Sequence, residues 1–145
     1  MKLNLALAQI AAKLGDVESN LEKHLDFIKQ AKSQKADLLV FPELSLTGYV
    51  LQDLVASVAH TPTDDDPIFK HLLKASNGLD LVVGFVDEDS RHRFYIASAY
   101  LSGGRVVHVH HKVYLPTYGL FDEGRFFAWG ILCAPSTRAS DGSVC

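Results

Sequence analysis

The feature that most constrains this chain is a run of apolar residues that leads directly into a carboxylate. The run lies in Asp37-Leu-Leu-Val-Phe-Pro-Glu-Leu-Ser-Leu-Thr-Gly-Tyr49, where four apolar residues and a proline precede Glu43. A continuous apolar run of this kind is typical of an interior strand that is covered on both faces. A carboxylate just beyond such a strand is costly unless another group pairs with it. We therefore expect Glu43 to stand at the end of a central strand, with a cation beside it.

Lys112 is the expected partner of Glu43. It comes soon after a second strand-like run, Arg105-Val-Val-His-Val-His110, so both charged side chains stand at the end of a predicted strand. A carboxylate can act as a general base and an ammonium can stabilise a negative oxygen, so the pair predicts an acid–base and oxyanion-stabilising site. In that case their charged atoms lie within about 3–6 Å of each other. Taken singly, either residue is more simply explained as a solvated surface charge.

The remaining hydrophobic patterns predict further strands and helices around this pair. Residues 3–10 alternate as in a half-buried strand, and Asp16 can cap an amphipathic helix that runs to about Gln34. Further along the chain we expect a short helix at 51–59, a solvated loop at 61–67, a helix at 67–75, and strands at 79–86, 94–101 and 106–110, with a hairpin turn at 102–105. The order β-α-β-α-β-β-β predicts an α/β (α+β) fold.

Composition and charge exclude several classes of protein. The 145 residues are enough for one domain with a real core, and 48% apolar with 21% charged residues is typical of a soluble globular protein. The net charge of −3 gives no reason to expect a nucleic acid or an anionic membrane as a partner. No apolar run approaches membrane-spanning length, and the two cysteines, Cys133 and Cys145, do not make a disulfide framework. We therefore expect a cytoplasmic protein.

Two extended segments resemble the nitrilase, or carbon–nitrogen hydrolase, superfamily. They are Val40-Phe-Pro-Glu-Leu-Ser-Leu-Thr-Gly-Tyr49 and His111-Lys-Val-Tyr-Leu-Pro-Thr-Tyr-Gly-Leu-Phe-Asp-Glu123. The opening strand Leu5-Ala-Leu-Ala-Gln9, followed by Gly15-Asp16 and Asn20, is also similar. Two separated motifs in the same order and at similar spacing are a far more specific signal than one short motif. The resemblance covers about residues 1–130, which we interpret as the N-terminal half of such a domain.

The resemblance implies a fold, a mechanism and roles for three residues. The fold would be a four-layer α-β-β-α sandwich, here incomplete, with a Glu-Lys-Cys catalytic site. By motif position Glu43 would be the general base, Lys112 would stabilise the negative oxygen of the tetrahedral intermediate, and Glu123 would match a second, supporting glutamate. The site would act on a small-molecule amide or nitrile without a cofactor or metal, and the intact protein would be a homo-oligomer.

The nucleophilic cysteine is the part of this implied site that the sequence does not clearly supply. Cys133 follows Lys112 too closely. Cys145 lies near the expected distance but lacks the apolar strand before it and the Glu-Asp that usually follows, so we interpret both cysteines as incidental. Residues 131–145 form an atypical tail with Pro, Ser, Thr and Gly where a strand is expected. A shifted reading of suitable codons for residues 134–145 spells a sequence similar to the family's approach to its cysteine, which predicts a frameshifted or truncated product.

Three functions remain open at this point. A stand-alone amidase is the first interpretation, because Val50-Leu-Gln-Asp53 lacks the prolines usual at this place in glutaminase domains. The second is the glutaminase domain of a glutamine-dependent NAD synthetase, which the segment Tyr118-Gly-Leu-Phe-Asp-Glu123 resembles. The third is an inactive fragment or interaction module, which applies if the nucleophile is absent.

Histidines and aromatic residues in the last third of the chain raise two further possibilities. His108, His110 and His111 resemble a metal cluster, since alternate residues of a strand share a face. Zinc would need further ligands, and ordinary strand-surface positions explain these histidines better. The aromatic side chains are more typical of a core or pocket wall than of a nucleic-acid stacking platform. They are Tyr114, Tyr118, Phe121, Phe126, Phe127 and Trp129.

Overall fold

The computed structural model describes residues 2–131, which contain one five-stranded sheet. Its strands are β1 (Leu5–Leu7), β2 (Leu38–Val40), β3 (Asp80–Glu88), β4 (Phe94–Ser102) and β5 (Arg105–His111). The helices are α1 (Val17–Ser33), α2 (Pro67–Ala75) and the single turn α3 (Glu123–Phe126), with a 3-10 helix at Gln52–Ser57. Strands β1 to β3 are parallel, and β3 to β5 are antiparallel. The mixed sheet with its helices confirms the predicted α/β class.

The two long helices begin at aspartates and pack on one face of the sheet. Asp16 caps α1, as predicted, by accepting the N–H of Ser19 at 3.0 Å. Asp66 caps α2 in the same way, accepting the N–H of Phe69 at 3.0 Å. The Phe69 ring then meets Phe85 of β3 edge-on, with 4.8 Å between ring centres. Within residues 2–131 no helix has both the length and the apolar character needed to cross a membrane.

The opposite face of the sheet is only partly covered. Leu7, Val40, Val82 and Tyr100 lie in register across β1 to β4 on this face. The inner three are half-buried, whereas Leu7 of the edge strand is 74% exposed. Burial of apolar surface contributes roughly 25 cal/mol per Å², so a further layer on this face would add stability. The described residues thus form one sheet and its helices, as expected of an incomplete four-layer sandwich.

The turn that carries Glu43 leaves β2 and packs tightly against β3. The N–H of Ser45 donates to the carbonyl of Pro42 at 3.2 Å, and the N–H of Leu46 donates to the carbonyl of Gly84 at 3.1 Å. A Cβ atom at position 84 would lie 2.4 Å from the Pro42 oxygen. The turn can therefore reach β3 only because residue 84 has no side chain.

Three elements differ from the sequence-based expectation. Strand β1 is shorter than the predicted 3–10, and at its N-terminal end the N–H of Asn4 donates to the carboxylate of Asp37 at 2.8 Å instead of to a neighbouring strand. The short helix expected at 51–59 is a 3-10 helix. Helix α3 has no counterpart in the prediction, since a single turn is too short to show helical periodicity.

The aromatic stretch is divided between core and surface. Phe127 is buried, and Phe121 and Phe126 line a cleft with it, in agreement with the pocket-wall interpretation. Tyr118 and Trp129 are instead 72% and 62% exposed. Sequence composition identified the stretch as aromatic, but it did not separate its inward-facing from its outward-facing members.

Helix α1 buries a histidine on its inner face. His24 is fully buried, and its Nδ1 lies 2.7 Å from the carbonyl oxygen of Asn20. Burial lowers the pKa of His24 to about 4, and the hydrogen bond to Asn20 offsets only part of this shift. The imidazole is therefore neutral in the folded protein near pH 7.

This neutral histidine predicts a loss of stability in mild acid. Because the pKa of His24 is about 4 in the folded state and near 6.5 when unfolded, its contribution is complete above pH 6.5 and is lost as the pH falls towards 4. Between pH 7.5 and 5 the free energy of unfolding should fall by about 2 kcal/mol more in the natural chain than in His24→Phe. Urea unfolding at both pH values measures this difference. Equal pH dependence of the two proteins would contradict it.

The close approach at Gly84 predicts strong destabilisation by the smallest added side chain. Gly84→Ala should lower the free energy of unfolding by about 1–3 kcal/mol, because the new methyl group overlaps the Pro42 carbonyl. Urea unfolding measures the change. Ser98→Ala is the matched control, since Ser98 pairs with Gly84 across β3 and β4 and this change adds no atom. An alanine tolerated at position 84 without loss would show that the turn moves easily away from β3.

Candidate active site

Three side chains from distant parts of the sequence meet at one point. The Nζ atom of Lys112 lies 3.0 Å from Oε1 of Glu43 and 2.9 Å from Oε1 of Glu123. The first distance confirms the prediction that Glu43 and Lys112 converge. The second brings in Glu123, the supporting glutamate implied by the resemblance. The catalytic roles of the three residues stay predictions.

Backbone contacts hold each of these residues at the edge of the fold where the strands end. Glu43 lies in the turn after β2, and Glu123 is the first residue of α3. Lys112 follows β5, where its N–H donates to the carbonyl of Ile96 in β4 at 2.8 Å. Its own carbonyl accepts the N–H of Gly130 at 2.9 Å. Lys112 is therefore fixed on both sides by hydrogen bonds of the main chain.

Burial differs sharply among the three side chains. Glu123 is 5% exposed, Lys112 25% and Glu43 43%. Burial lowers the pKa of Lys112, but its hydrogen bonds to Glu123 and Glu43 raise it more, so the pKa lies above its ordinary value. Lys112 is accordingly a stable cation at neutral pH. This suits it to stabilise a negative oxygen and makes it a poor proton acceptor.

Tyr49 joins the group, although sequence reasoning did not assign it a role. Its hydroxyl donates to Oε1 of Glu123, the oxygen that Lys112 also contacts. Burial and then the bond to Glu123 raise the pKa of Tyr49 above its ordinary value, so the phenol stays a hydrogen-bond donor. The other carboxylate oxygen of Glu123, Oε2, is buried without a hydrogen-bond partner within residues 2–131. The only sequence signal for Tyr49 is its position at the end of the first extended motif.

Two clefts open beside this group. The larger, of about 560 Å³, lies against the partly covered sheet face and is lined by Glu43 and Lys112 together with apolar residues such as Val40 and Val82. The smaller, of about 200 Å³, is lined by Glu123, with Tyr49, Phe121 and Phe127 among its other residues. Glu43 and Glu123 thus line different clefts, and Lys112 is hydrogen-bonded to both carboxylates.

The three histidines of β5 do not act together. His108 and His110 pair with Tyr100 and Ser98 of β4 on the partly covered face. The ring of His111 points to the other face, where Nε2 lies 2.7 Å from the carboxylate of Asp87. Among residues 2–131 no group of three or more histidine, cysteine or acidic side chains is placed to hold a metal ion.

The expected nucleophile cannot be placed from the described residues. Residues 2–131 contain no cysteine, and both Cys133 and Cys145 lie outside the described part of the chain. The predicted atypical tail, residues 131–145, lies outside it as well except for its first residue. Its frameshift interpretation therefore stays a prediction.

Comparison with protein families identifies the group to which this site belongs. The model of the carbon-nitrogen hydrolase family matches residues 4–129. The chain belongs to the carbon-nitrogen hydrolase family. The match covers both motifs and all three converging residues, so the resemblance inferred from the sequence is confirmed.

The chain spans only part of the length of the individual relatives that it matches. It is 37% identical over 130 residues to the glutamine-dependent NAD(+) synthetase of Thermotoga maritima, covering 89% of this chain and 22% of that protein. An amidase variant from Nesterenkonia sp. AN1, with acrylamide added at its active-site cysteine, is 27% identical with a TM-score of 0.76. That match covers 90% of this chain and 50% of the amidase.

A third similarity supports the fold alone. Nit3 of Saccharomyces cerevisiae, a member of the nitrilase superfamily, is 21% identical with a TM-score of 0.74, covering 89% of this chain and 49% of that one. The fold is therefore of the nitrilase type.

The chain spans less than a quarter of the length of the Thermotoga relative.

The geometry around Lys112 predicts how its pKa responds to loss of each carboxylate. Glu43→Gln and Glu123→Gln should each lower the pKa of Lys112, because each removes a negative partner at hydrogen-bonding distance. Glu123→Gln should have the larger effect, since Glu123 is the more buried partner. Carbon-13 NMR of the lysine Cε against pH measures the shift, with Glu22→Gln on the exposed side of α1 as control. An unchanged pKa in both variants would contradict the observed ion pairs.

Proposed function

We propose that this domain, in the intact protein, hydrolyses the side-chain amide of glutamine to glutamate and ammonia. The observation that carries the proposal is the position of the Lys112 ammonium between Glu43 and Glu123. A carbon-nitrogen hydrolase needs a base and a cation close to one reacting carbon, and these residues supply both.

In the proposed mechanism the cysteine thiol gives its proton to Glu43, and the thiolate attacks the amide carbon. Lys112 then stabilises the negative oxygen of the tetrahedral intermediate. The carbon–nitrogen bond breaks as Glu43 returns the proton to nitrogen, leaving ammonia and a thioester. Water, activated by Glu43, hydrolyses the thioester and restores the thiol. Glu123 and Tyr49 would keep Lys112 in place through these steps.

The choice of glutamine rests on the relatives. Sequence analysis placed a stand-alone amidase first, because the prolines usual after Tyr49 in glutaminase domains are missing. The relative from Thermotoga maritima, at 37% identity, is a glutamine-dependent NAD(+) synthetase and favours the second interpretation. The amidase from Nesterenkonia is less similar, at 27% identity. We therefore prefer the glutaminase domain, with a simple amide or nitrile as the alternative substrate. The proposed protein works without nucleic acid or membrane, as a homo-oligomer.

Ammonia release from the intact protein tests the proposal, and sequencing of the coding DNA around Gly130 tests whether a strand and a cysteine of the family type follow in frame. Glutamine should be hydrolysed faster than simple amides or nitriles, and Lys112→Ala should lower kcat by about 10²–10³-fold through loss of oxyanion stabilisation. Glu43→Gln should also abolish most turnover. Lys74→Ala, which changes an exposed lysine of α2, is the matched control. Turnover indifferent to both Glu43 and Lys112 would refute the mechanism, and a preference for simple amides would restore the amidase interpretation.

An inactive fragment or interaction module is the competing class for the 145-residue chain itself. The partly covered sheet face, with Leu5 and Leu7 54% and 74% exposed, favours this alternative because such faces associate with other chains. We expect no amidase activity from this chain when the intact protein is active. Clear turnover by the 145-residue chain, abolished by Cys145→Ser, would show instead that Cys145 is the nucleophile.

A further inference from the structure

We propose that His24 is a positioning residue for Glu43, holding the turn that carries this carboxylate from both sides. Its importance for catalysis rests on the function proposed above, but its effect on the position of Glu43 does not. His24 belongs to α1, and neither motif of the family resemblance includes it.

The first contact lies on the C-terminal side of Glu43. Nε2 of His24 lies 2.9 Å from the hydroxyl oxygen of Ser45, two residues after Glu43. On the other side of the ring, Nδ1 lies 2.7 Å from the carbonyl oxygen of Asn20. A carbonyl oxygen can only accept, so Nδ1 carries the proton and Nε2 accepts a hydrogen bond from Ser45. The neutral ring is therefore oriented by one bond and fixes the turn with the other.

The second contact lies on the N-terminal side of Glu43. The imidazole of His24 stacks on the ring of Phe41, two residues before Glu43, with 4.1 Å between ring centres. Phe41 also meets Phe27 of α1 edge-on at 6.5 Å. One side chain thus touches both flanks of the turn, while Glu43 itself projects to the site.

Neighbouring contacts make this arrangement rigid. One turn earlier in α1, Nδ2 of Asn20 donates to the carbonyl of Leu46 at 2.9 Å. On the other side of the turn, the N–H of Leu46 donates to the carbonyl of Gly84 in β3 at 3.1 Å. The turn is consequently held between α1 and β3, with His24 as its central contact on the helix side.

Core packing alone does not account for a histidine here. An apolar side chain would fill the same space without the cost of burying two ring nitrogens. Both nitrogens of His24 have partners, and one of those partners lies in the turn itself. Glu43 is 43% exposed, so its own side chain has little packing to define its position. Helix α1, through His24, therefore fixes the position of the turn that carries Glu43.

The pKa of Lys112 reports whether Glu43 remains beside it, and it can be followed by carbon-13 NMR in the full 145-residue chain. His24→Phe keeps an aromatic ring over Phe41 but loses both hydrogen bonds, so it should lower the pKa of Lys112. Ser45→Ala should also lower the pKa of Lys112, because it removes the hydroxyl that hydrogen-bonds to Nε2 of His24. His24→Gln places an amide near the position of Nε2 and should restore most of the natural value.

Epistasis with Glu43 separates positioning from a general loss of structure. In a Glu43→Gln background, His24→Phe and Ser45→Ala should cause no further shift of Lys112. His71→Phe on the exposed side of α2 is the control. The proposal is overturned if His24→Phe leaves the pKa of Lys112 unchanged. It is also overturned if His24→Phe shifts that pKa equally with the natural Glu43 and with Glu43→Gln. If His24→Phe does not fold, Ser45→Ala decides the question by the same criteria, since it leaves the buried ring in place.

Kinetics of the intact protein provide a second readout. His24→Phe should lower kcat by up to about 10²-fold with little change in KM, because a displaced base affects the reacting geometry more than substrate binding. His24→Gln should recover most of this loss. Absence of amide hydrolysis in the natural protein would refute the proposed function, whereas the NMR result would still decide whether His24 positions Glu43.

Discussion

The structure around the site depends on one ammonium group held between two carboxylates. A solvent-exposed ion pair contributes about 0–1 kcal/mol, but a buried carboxylate that loses its cation is strongly destabilised. Lys112 makes two ion pairs, at 3.0 and 2.9 Å, with groups that come from the turn after β2 and from α3. Without this cation, Glu43 and Glu123 would repel each other, and the buried Glu123 would have only Tyr49 as a partner among the described residues. The ion pairs therefore bind three separate elements together.

Much of this arrangement could be predicted because it follows from strand ends. Strands β2 and β5 end at the same edge of the sheet, so both residues could be expected at that edge, but β3 and β4 lie between the two strands. Glu43 and Lys112 meet because the turn after β2 packs against Gly84 of β3 and the N–H of Lys112 donates to the carbonyl of Ile96 in β4. The helix cap at Asp16 is local and was predicted, whereas the cap at Asp66 was not, because residues 61–67 were expected only to form a solvated loop. Glu123 came from the family resemblance, since nothing in its local sequence indicates a buried carboxylate.

Contacts that join distant residues without a repeating pattern could not be derived. Tyr49 reaches Glu123 across 74 residues of sequence, and His24 reaches Ser45 across 21. Periodicity identifies which residues of β1 share a face, but not which face the helices cover. The small residues, such as Ala8, turn inward, and the leucines remain exposed.

The unequal burial of the two carboxylates determines how a reaction at this site would proceed. Glu123 has one oxygen shared by Lys112 and Tyr49 and the other enclosed, so it can hold the ammonium but cannot readily meet an incoming group. Glu43 is 43% exposed and lines the larger cleft with Lys112. A thiol and its amide substrate would therefore approach from this cleft, on the partly covered side of the sheet. A general base needs a side chain that can move during proton transfer, but its main chain must stay aligned with the reacting atoms. A rigid turn supporting an exposed carboxylate satisfies both requirements.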